Sequence, residues 1–338
     1  MSDGAPFLTI VITCYFEERS IDEFHARLSA AARKLDVSYE IVFINDGSTD
    51  ETFERLRAIY AEDPNVTTIV DLFRNAGQLG AMTAGIAHAR GSNFVFMDSD
   101  LQLDPEELPL LLAEFKKGID IVSGVRKGRK DHFVRKAVSK VANLVMRKVS
   151  GHAISDFGCT FKIYDGRLIR AFEFGPFKKF QTAFVYSRAK TTVEVPVTHN
   201  PRKYGSSGWT FRSLSSFMMD NIVGVSQRPF QMLSVLCFIA GAVFFVRTVL
   251  AWLVPFSILK EITPGLILNV LLFHLVITVG VLAAVGEYVI RNFTSLQRYP
   301  AYIIREKHQK PLRQGPEGSP QRGGREVESA SSSEKRGV

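Results

Sequence analysis

A chain of 338 residues, 46% hydrophobic and 22% charged, has apolar matter for one large domain or two ordinary ones and is too apolar to be disordered throughout. Its three cysteines, Cys14, Cys159 and Cys237, are too few and too scattered for a disulfide scaffold, and no CxxC or His-rich cluster offers a structural zinc site. Lys and Arg number 42 against 34 Asp and Glu, a formal charge of +8, which suits an anionic partner: nucleic acid, a phosphorylated substrate or a membrane surface.

The first half alternates strand and helix. Residues 8–13 read as a buried strand, 21–35 as a helix, and 39–44 as a second strand ending at Asn45-Asp46-Gly47-Ser48, with Thr49 or Asp50 capping a helix through Tyr60. Residues 66–70 form a third strand, 76–89 a Gly- and Ala-rich helix, and 93–97 a fourth strand ending at Asp98-Ser99-Asp100. Asp104 then caps a helix with Pro105 at its first position, and 119–123 form a fifth strand. Such alternation predicts a mostly parallel sheet covered on both faces, with ligands beyond the carboxyl ends of its strands. Tyr15, Glu17, Asp46, Asp98 and Asp100 all fall there.

Two carboxylates one residue apart at a strand terminus can hold a hard divalent cation, and Gln102 can add a carbonyl oxygen; the same triplet also marks solvated turns in many chains. Asp46 can hydrogen-bond a nucleobase or ribose, or serve only as a strand-to-helix turn. No G-x-G-x-x-G follows the first strand and no G-x-x-x-x-G-K-[ST] occurs, which removes the main support for dinucleotide and P-loop readings. Residues 126–148 are strongly basic, beginning at Arg126, and Asp156-Phe157-Gly158-Cys159-Thr160-Phe161-Lys162 follows. Cys159 reads as a small buried apolar residue.

Residues 204–225 carry Trp209, Phe211, Leu214, Phe217, Met218 and Ile222 at helical spacing, the pattern of an amphipathic helix on a membrane surface. Residues 230–246, continuing to 254 past Arg247, and residues 265–286 hold few or no charges. Twenty-two helical residues rise about 33 Å, so two transmembrane helices are expected. Basic residues flank the pair on both outer sides, which puts the catalytic part and both termini in the cytoplasm of a multi-pass inner-membrane protein. Residues 311–338, rich in Gly, Ser, Pro, Arg and Glu, read as a disordered tail. The expected division is 1–203 catalytic, 204–228 amphipathic, 229–290 membrane hairpin, 291–310 juxtamembrane and 311–338 tail.

In order, Thr13-Cys14-Tyr15-Phe16-Glu17-Glu18, Asn45-Asp46-Gly47-Ser48, Arg74-Asn75-Ala76-Gly77-Gln78, Asp98-Ser99-Asp100-Leu101-Gln102, Asp156 to Lys162, Arg202 with Gly205, Ser207 and Trp209, and Gly286-Glu287-Tyr288 with Arg298-Tyr299-Pro300 form a set. The set resembles the family-2 glycosyltransferases of GT-A fold, in particular the polyprenyl-phosphate glycosyltransferases such as the dolichyl-phosphate mannose synthases, bactoprenol glucosyltransferases and undecaprenyl-phosphate aminoarabinose-type transferases. Thr13 stands for the family's usual Pro, Phe16 for Asn, Asn45 for the first Asp, and Lys162 for Arg, a change that keeps the charge and loses a bidentate fork.

The resemblance implies an inverting transfer of a sugar from a nucleotide sugar, UDP-linked, to polyprenyl (undecaprenyl) phosphate for cell-envelope glycan or lipid modification. It implies Mg2+ or Mn2+ on Asp98, Asp100 and Gln102. Thr13, Tyr15, Glu17, Asp46, Gln78 and Asp98 would hold the nucleotide sugar, and Arg126, Lys162, Arg202 and Ser207 the lipid phosphate. Asp156, Asp100, Lys162 and Arg202 would serve catalysis, Asp156 as base or as a positioning group, since a phosphate monoester with a second pKa of about 6 is already ionised. Membrane lipids and a homo-oligomer, a tetramer by analogy, are the implied partners, and nucleic acid is not. Two other readings stand beside this one: a processive polysaccharide synthase, against which the absent Gln-x-x-Arg-Trp motif speaks, and a retired sugar-nucleotide-binding membrane protein.

Overall fold

The computed structural model describes residues 5–127, 147, 151–152, 154–174, 179–204, 239, 271, 274–275, 277–282, 285–286, 288–289 and 300–311. Within them lie strands β1 (Leu8–Cys14), β2 (Tyr39–Asn45), β3 (Val66–Leu72), β4 (Asn93–Asp98), β5 (Ile121–Lys127), β6 (Lys162–Asp165), β7 (Thr192–Thr198) and β8 (Ile304–Gln309). The helices are α1 (Ile21–Ala32), α2 (Thr52–Glu62), α3 (Gln78–His88), α4 (Leu108–Phe115), α5 (Gly166–Arg170) and α6 (Thr182–Tyr186).

The eight strands form one sheet in the order β7-β5-β6-β4-β1-β2-β3-β8. Alternate side chains of each central strand leave it on opposite faces, so the residues split into two cores. Leu8, Ile10 and Ile12 of β1 join Ile41 and Phe43 of β2 under α1, α2 and α4. Val11, Val42 and Ile44 face the other way, under α3 and an aromatic group made by Phe94, Phe96, Tyr164, Phe180 and Tyr186. α3 lies so close to β1 that a Cβ at Gly85 would stand 2.2 Å from Val11 Cγ1.

Two expectations are corrected here. The sheet is mixed, not purely parallel: β1 pairs β2 and β4 in parallel, β2 pairs β3 and β5 pairs β7 likewise, but β6 runs antiparallel to β4 and β5, and β8 antiparallel to β3. The reason is geometric. The chain leaves β5 at the carboxyl end of the parallel strands and re-enters at Lys162, which lies opposite Phe96 near that same end, so β6 can only run back down.

The second correction concerns the membrane. Among the described residues no helix is long and apolar enough to cross one. The longest helix whose residues are all described, α1, has 12 residues, a rise of roughly 18 Å against a hydrocarbon core of ~30 Å. The transmembrane pair and the multi-pass inner-membrane placement expected from the sequence therefore have no helix among the described residues to carry them. Of the stretches on which those calls were made, all of 230–254 but residue 239 and half of 265–286 lie outside the described residues, as do the amphipathic helix expected after Tyr204, most of the basic stretch 126–148, and the tail beyond residue 311.

Smaller differences have local causes. Asp104 does not cap a helix with its side chain; Pro105–Glu107 is a 3-10 turn, and the Asp104 carboxylate accepts from Arg27 Nη2 at 2.6 Å and Asn200 Nδ2 at 2.8 Å. Asp50 accepts from Thr52 N at 3.1 Å and Thr52 Oγ1 at 2.6 Å, and α2 begins at Thr52, one or two residues later than a cap at Asp50 or Thr49 implies. The segment expected as juxtamembrane contributes β8.

Candidate active site

Parallel register sets the strand ends side by side. Thr13 lies opposite Asp98, Cys14 opposite Asn45, and Asn45 opposite Asp71. At the end of β4, the Asp98 carboxylate accepts from Thr13 Oγ1 at 3.1 Å, from Gln78 Nε2 at 2.9 and 3.2 Å, and from Thr160 Oγ1 at 2.8 Å. Burial, and then the charge of Asp100, push its pKa up; the three donors oppose that and do not cancel it.

Asp100 is 8% exposed. Its Oδ1 accepts the Gln102 N–H at 3.1 Å, and its Oδ2 accepts Arg202 Nη2 at 2.8 Å. Leu101 between them sits at φ +60°, a left-handed backbone that a branched side chain adopts only when its neighbours hold it there. Asp100 does so from one side. On the other, Gln102 O accepts Asn200 N–H at 2.8 Å, which ties this turn to the segment bearing Arg202.

Asp46 follows β2. It is 4% exposed, and its Oδ1 accepts the Ala76 N–H at 2.6 Å. Burial pushes its pKa up to about 6, against the hydrogen bonds that lower it. Gly47 next to it has φ +71°, and a Cβ there would lie 2.4 Å from the Arg74 carbonyl carbon, so the turn of β2 and the end of β3 touch backbone to backbone. On the β1 turn, Tyr15 and Phe16 are about half exposed with rings edge to face at 4.6 Å. Glu17 accepts from the Ser20 hydroxyl, and burial pushes its carboxyl up to about 7.

Asp156 and Arg126 form a bidentate pair, Nε to Oδ2 and Nη2 to Oδ1, both 2.7 Å. Burial alone would raise the Asp156 pKa, but the hydrogen bonds and charge of Arg126 outweigh it and hold the carboxyl below its ordinary range. Lys162 is 3% exposed and donates to Phe157 O at 2.9 Å and to Cys159 O. Its ammonium fastens the 157–159 turn from beneath, and burial lowers its pKa. Cys159 is buried and free, as read from the sequence.

The structure thus gathers Thr13, Gln78, Asp98, Asp100, Gln102 and Arg202 into one cluster, with Glu17 close enough for its charge to be felt by Asp100 and Arg202. Asp156 and Arg126 make a second group. Thr160 links the two, since it stands four residues from Asp156 and donates to Asp98. Ser207 lies outside the described residues. Thr160, Asp71 and Asn200 were not singled out from the sequence, and Arg305 counted only among the basic residues after the second apolar stretch. Thr160 belongs to a stretch that was noticed, and its hydroxyl two residues before Lys162 was the one available signal. Among the described residues no group of three or more His, Cys, Asp or Glu could hold a metal ion. An open recess of about 560 Å³ lined by Glu18, Arg19, Asp22, Glu51, Arg55 and Tyr204 lies off these strand ends and includes none of them.

The Glycosyl transferase family 2 model matches residues 9–176. The chain is 31% identical over 301 residues to an undecaprenyl-phosphate 4-deoxy-4-formamido-L-arabinose transferase of Enterobacter sp., covering 88% of this chain and 92% of the relative. It is 32% identical over 319 residues to the protein of that description from Salmonella paratyphi A, covering 90% and 95%. Among solved structures, glucosyl-3-phosphoglycerate synthase from Mycobacterium tuberculosis in complex with Mn2+ and UDP-glucose matches with 18% identity and a TM-score of 0.47 over 64% of this chain and 77% of that one. S. aureus TarS 1-349 in complex with UDP-GlcNAc matches with 20% identity and a TM-score of 0.45 over 64% and 65%. With relatives so similar along nearly their whole length, the chain belongs to glycosyl transferase family 2 and is a glycosyltransferase.

Proposed function

We propose that the chain moves a sugar from a UDP-linked donor to polyprenyl phosphate, with undecaprenyl phosphate as the acceptor, by direct displacement. The observation that carries this reading is the Asp98/Asp100 pair at the end of β4, bordered by Asp46 on the nucleotide side and by Arg202 on the other. The relatives' printed name, undecaprenyl-phosphate sugar transferase in kind, supports the acceptor.

The step balances without a base. A phosphate oxygen of the acceptor attacks the anomeric carbon and forms the new C–O bond. The bond from that carbon to the nucleoside diphosphate breaks, and its electron pair leaves with the diphosphate. Because the acceptor is already ionised near neutral pH, no proton need be removed. Asp156 fits a positioning role: a carboxylate held low and clamped by Arg126 is a poor proton acceptor. What the reaction does need is positive charge near two anions. Arg202 on Asp100 and Arg126 on Asp156 supply it at the edge of the cluster. Lys162, buried and bonded to two carbonyls of the turn, serves by shaping that turn rather than by reaching the acceptor.

A divalent cation fits the donor set. Magnesium-type ions are commonly held by one or two carboxylates plus substrate phosphates, and half-buried Asp98 and buried Asp100, the latter paired with Arg202, are two hard-oxygen donors. Asp98 and Asp100 would hold it, and when bound it supplies charge against the departing diphosphate.

The test is transfer of label from radioactive UDP-sugars, UDP-4-deoxy-4-formamido-L-arabinose among them, to undecaprenyl phosphate by the purified full-length chain. Label is expected in the lipid fraction. Asp100→Asn should lower turnover about a thousandfold, the scale of losing a major electrostatic group, with the melting temperature little changed. No labelled lipid from any UDP-sugar, or near-normal turnover in Asp100→Asn, overturns the proposal.

A further inference from the structure

We propose that Arg305, on the C-terminal strand β8, is a positioning residue for the nucleotide pocket, acting through its ion pair with Asp71 and from there through a one-way chain of hydrogen bonds that ends on the backbone N–H of Phe16. The inference rests on the nucleotide-sugar reading given under Proposed function.

The chain starts from a buried charge. Asp71 on β3 is 3% exposed, and a carboxylate so placed needs partners on each oxygen. Arg305 Nη1 stands 3.4 Å from Oδ2. Arg305 is itself fixed, since its Nη2 donates to Phe73 O at 3.0 Å and its guanidinium lies 5.4 Å from the centre of the Phe73 ring. The other oxygen of Asp71 accepts Asn45 Nδ2 at 2.7 Å. Asn45 is fully buried, so giving its amide nitrogen to Asp71 settles which way its oxygen faces. That oxygen accepts the Ser48 hydroxyl at 2.6 Å, and Ser48 Oγ, having donated, accepts the Phe16 N–H at 3.0 Å. Every donor points toward Asp71, and each bond polarises the next.

The last link matters because of what Phe16 is. It has φ +58° and is half exposed. A large aromatic residue does not keep a left-handed backbone unaided, and no core packing holds this one. Its conformation is set by where its N–H is bound, with Glu17 N bound in the same way by Thr52 Oγ1 at 2.9 Å. The Tyr15-Phe16-Glu17 turn is the nucleotide side of the proposed cleft. The chain also explains a departure from the family pattern: an aspartate at position 45 would set two carboxylates in contact where Asn45 now donates to Asp71.

The experiment measures UDP binding by calorimetry, and kcat and KM with the UDP-sugar, on the full-length protein. Arg305→Ala should weaken UDP binding and raise KM about tenfold, the scale of losing a charge-assisted bond, while kcat stays within about threefold. Arg305→Lys should recover most of the affinity. The deciding variant is Arg305→Ala with Asp71→Asn: an amide at 71 needs no counter-charge and can still accept from Asn45, so binding should return to within about threefold of wild type. A residue that merely pinned the edge strand would not be rescued this way. If the wild type binds UDP and Arg305→Ala binds it equally well, or the double variant is no better than the single one, the positioning role is overturned and the nucleotide reading stands. If the wild type binds no UDP, both are overturned.

Discussion

Asp46 illustrates how a single burial event sets chemistry at the residue scale. Its carboxyl closes β2, nearly sealed from water, and burial lifts its pKa from the ordinary 3.8 to about 6. In the unfolded chain it ionises near 4, so between about pH 4 and pH 6 the folded state holds the extra proton, and stability falls as pH rises through that window. Asp46→Asn removes this one contribution and leaves Glu17, pushed up to about 7, in both proteins so that it cancels. The stability of wild type relative to Asp46→Asn should therefore drop by about 2 kcal/mol between pH 4 and pH 7, measured by urea unfolding. A difference that stays flat across that range would mean that Asp46 is not sealed as described. The residue was legible in the sequence because Asn45-Asp46-Gly47-Ser48 follows a run of six strand residues. Its raised pKa was not, because it depends on the Gly47–Arg74 backbone contact that shuts water out.

At the scale of elements, β6 and the turn before it decide how the proposed acceptor side is built. Lys162 opens β6, pairs by register with Phe96 and Ser123, and puts its ammonium beneath the Phe157 and Cys159 carbonyls. The same turn carries Asp156 to Arg126 and Thr160 to Asp98. Lys162→Met keeps the length of the side chain and removes the donors. Two carbonyls lose their partner, at about 1–3 kcal/mol for an unsatisfied buried group, while the cost of burying a charge is relieved. Net stability should fall by no more than about 3 kcal/mol, but kcat should fall at least about tenfold as the turn loosens. Urea unfolding and steady-state rates separate the two, and an unchanged kcat would leave Lys162 as packing alone. The parallel strands were readable from runs such as Ile10-Val11-Ile12 because both faces are buried. β6 was not, because only four residues pair, and the antiparallel turn-back follows from where the chain re-enters the sheet. The acidic motifs were found, but the Arg126–Asp156 clamp and the Thr160 bond join residues 30 and 62 positions apart, and no local pattern announces them.

For the whole molecule, the question is what finishes the sheet. β3 would be its bare edge, and a strand with unpaired N–H and C=O groups invites association. Residues 301–310 cover it: Phe73 N donates to Ile303 O at 2.7 Å, β8 runs antiparallel along Thr68 to Leu72, and Lys310 N donates to Thr67 O at 2.8 Å. Side chains bind it across: Arg57 to Glu306 at 2.5 Å, Lys310 Nζ to Asp63 O at 2.8 Å, and Arg90 Nη1 to Lys310 O at 2.8 Å. Tyr302, 6% exposed, enters the core beneath α3, a burial worth about 2 kcal/mol. No pattern of hydrophobic alternation betrays this strand, since Ile-Arg-Glu-Lys-His-Gln carries charge on both faces and reads as a polar linker. Residues 304–309 are thus part of the same sheet as the acidic strand ends, joined to β3 across more than two hundred residues of sequence. A chain stopped after Pro300 should melt at least about 10 °C lower than full length, or precipitate, because it loses an edge strand and a buried tyrosine together. A chain stopped after Pro311 should melt with the full-length protein. Equal melting of the two truncations would show that the sheet is complete without β8, and the route from Arg305 to the nucleotide side would then have no anchor.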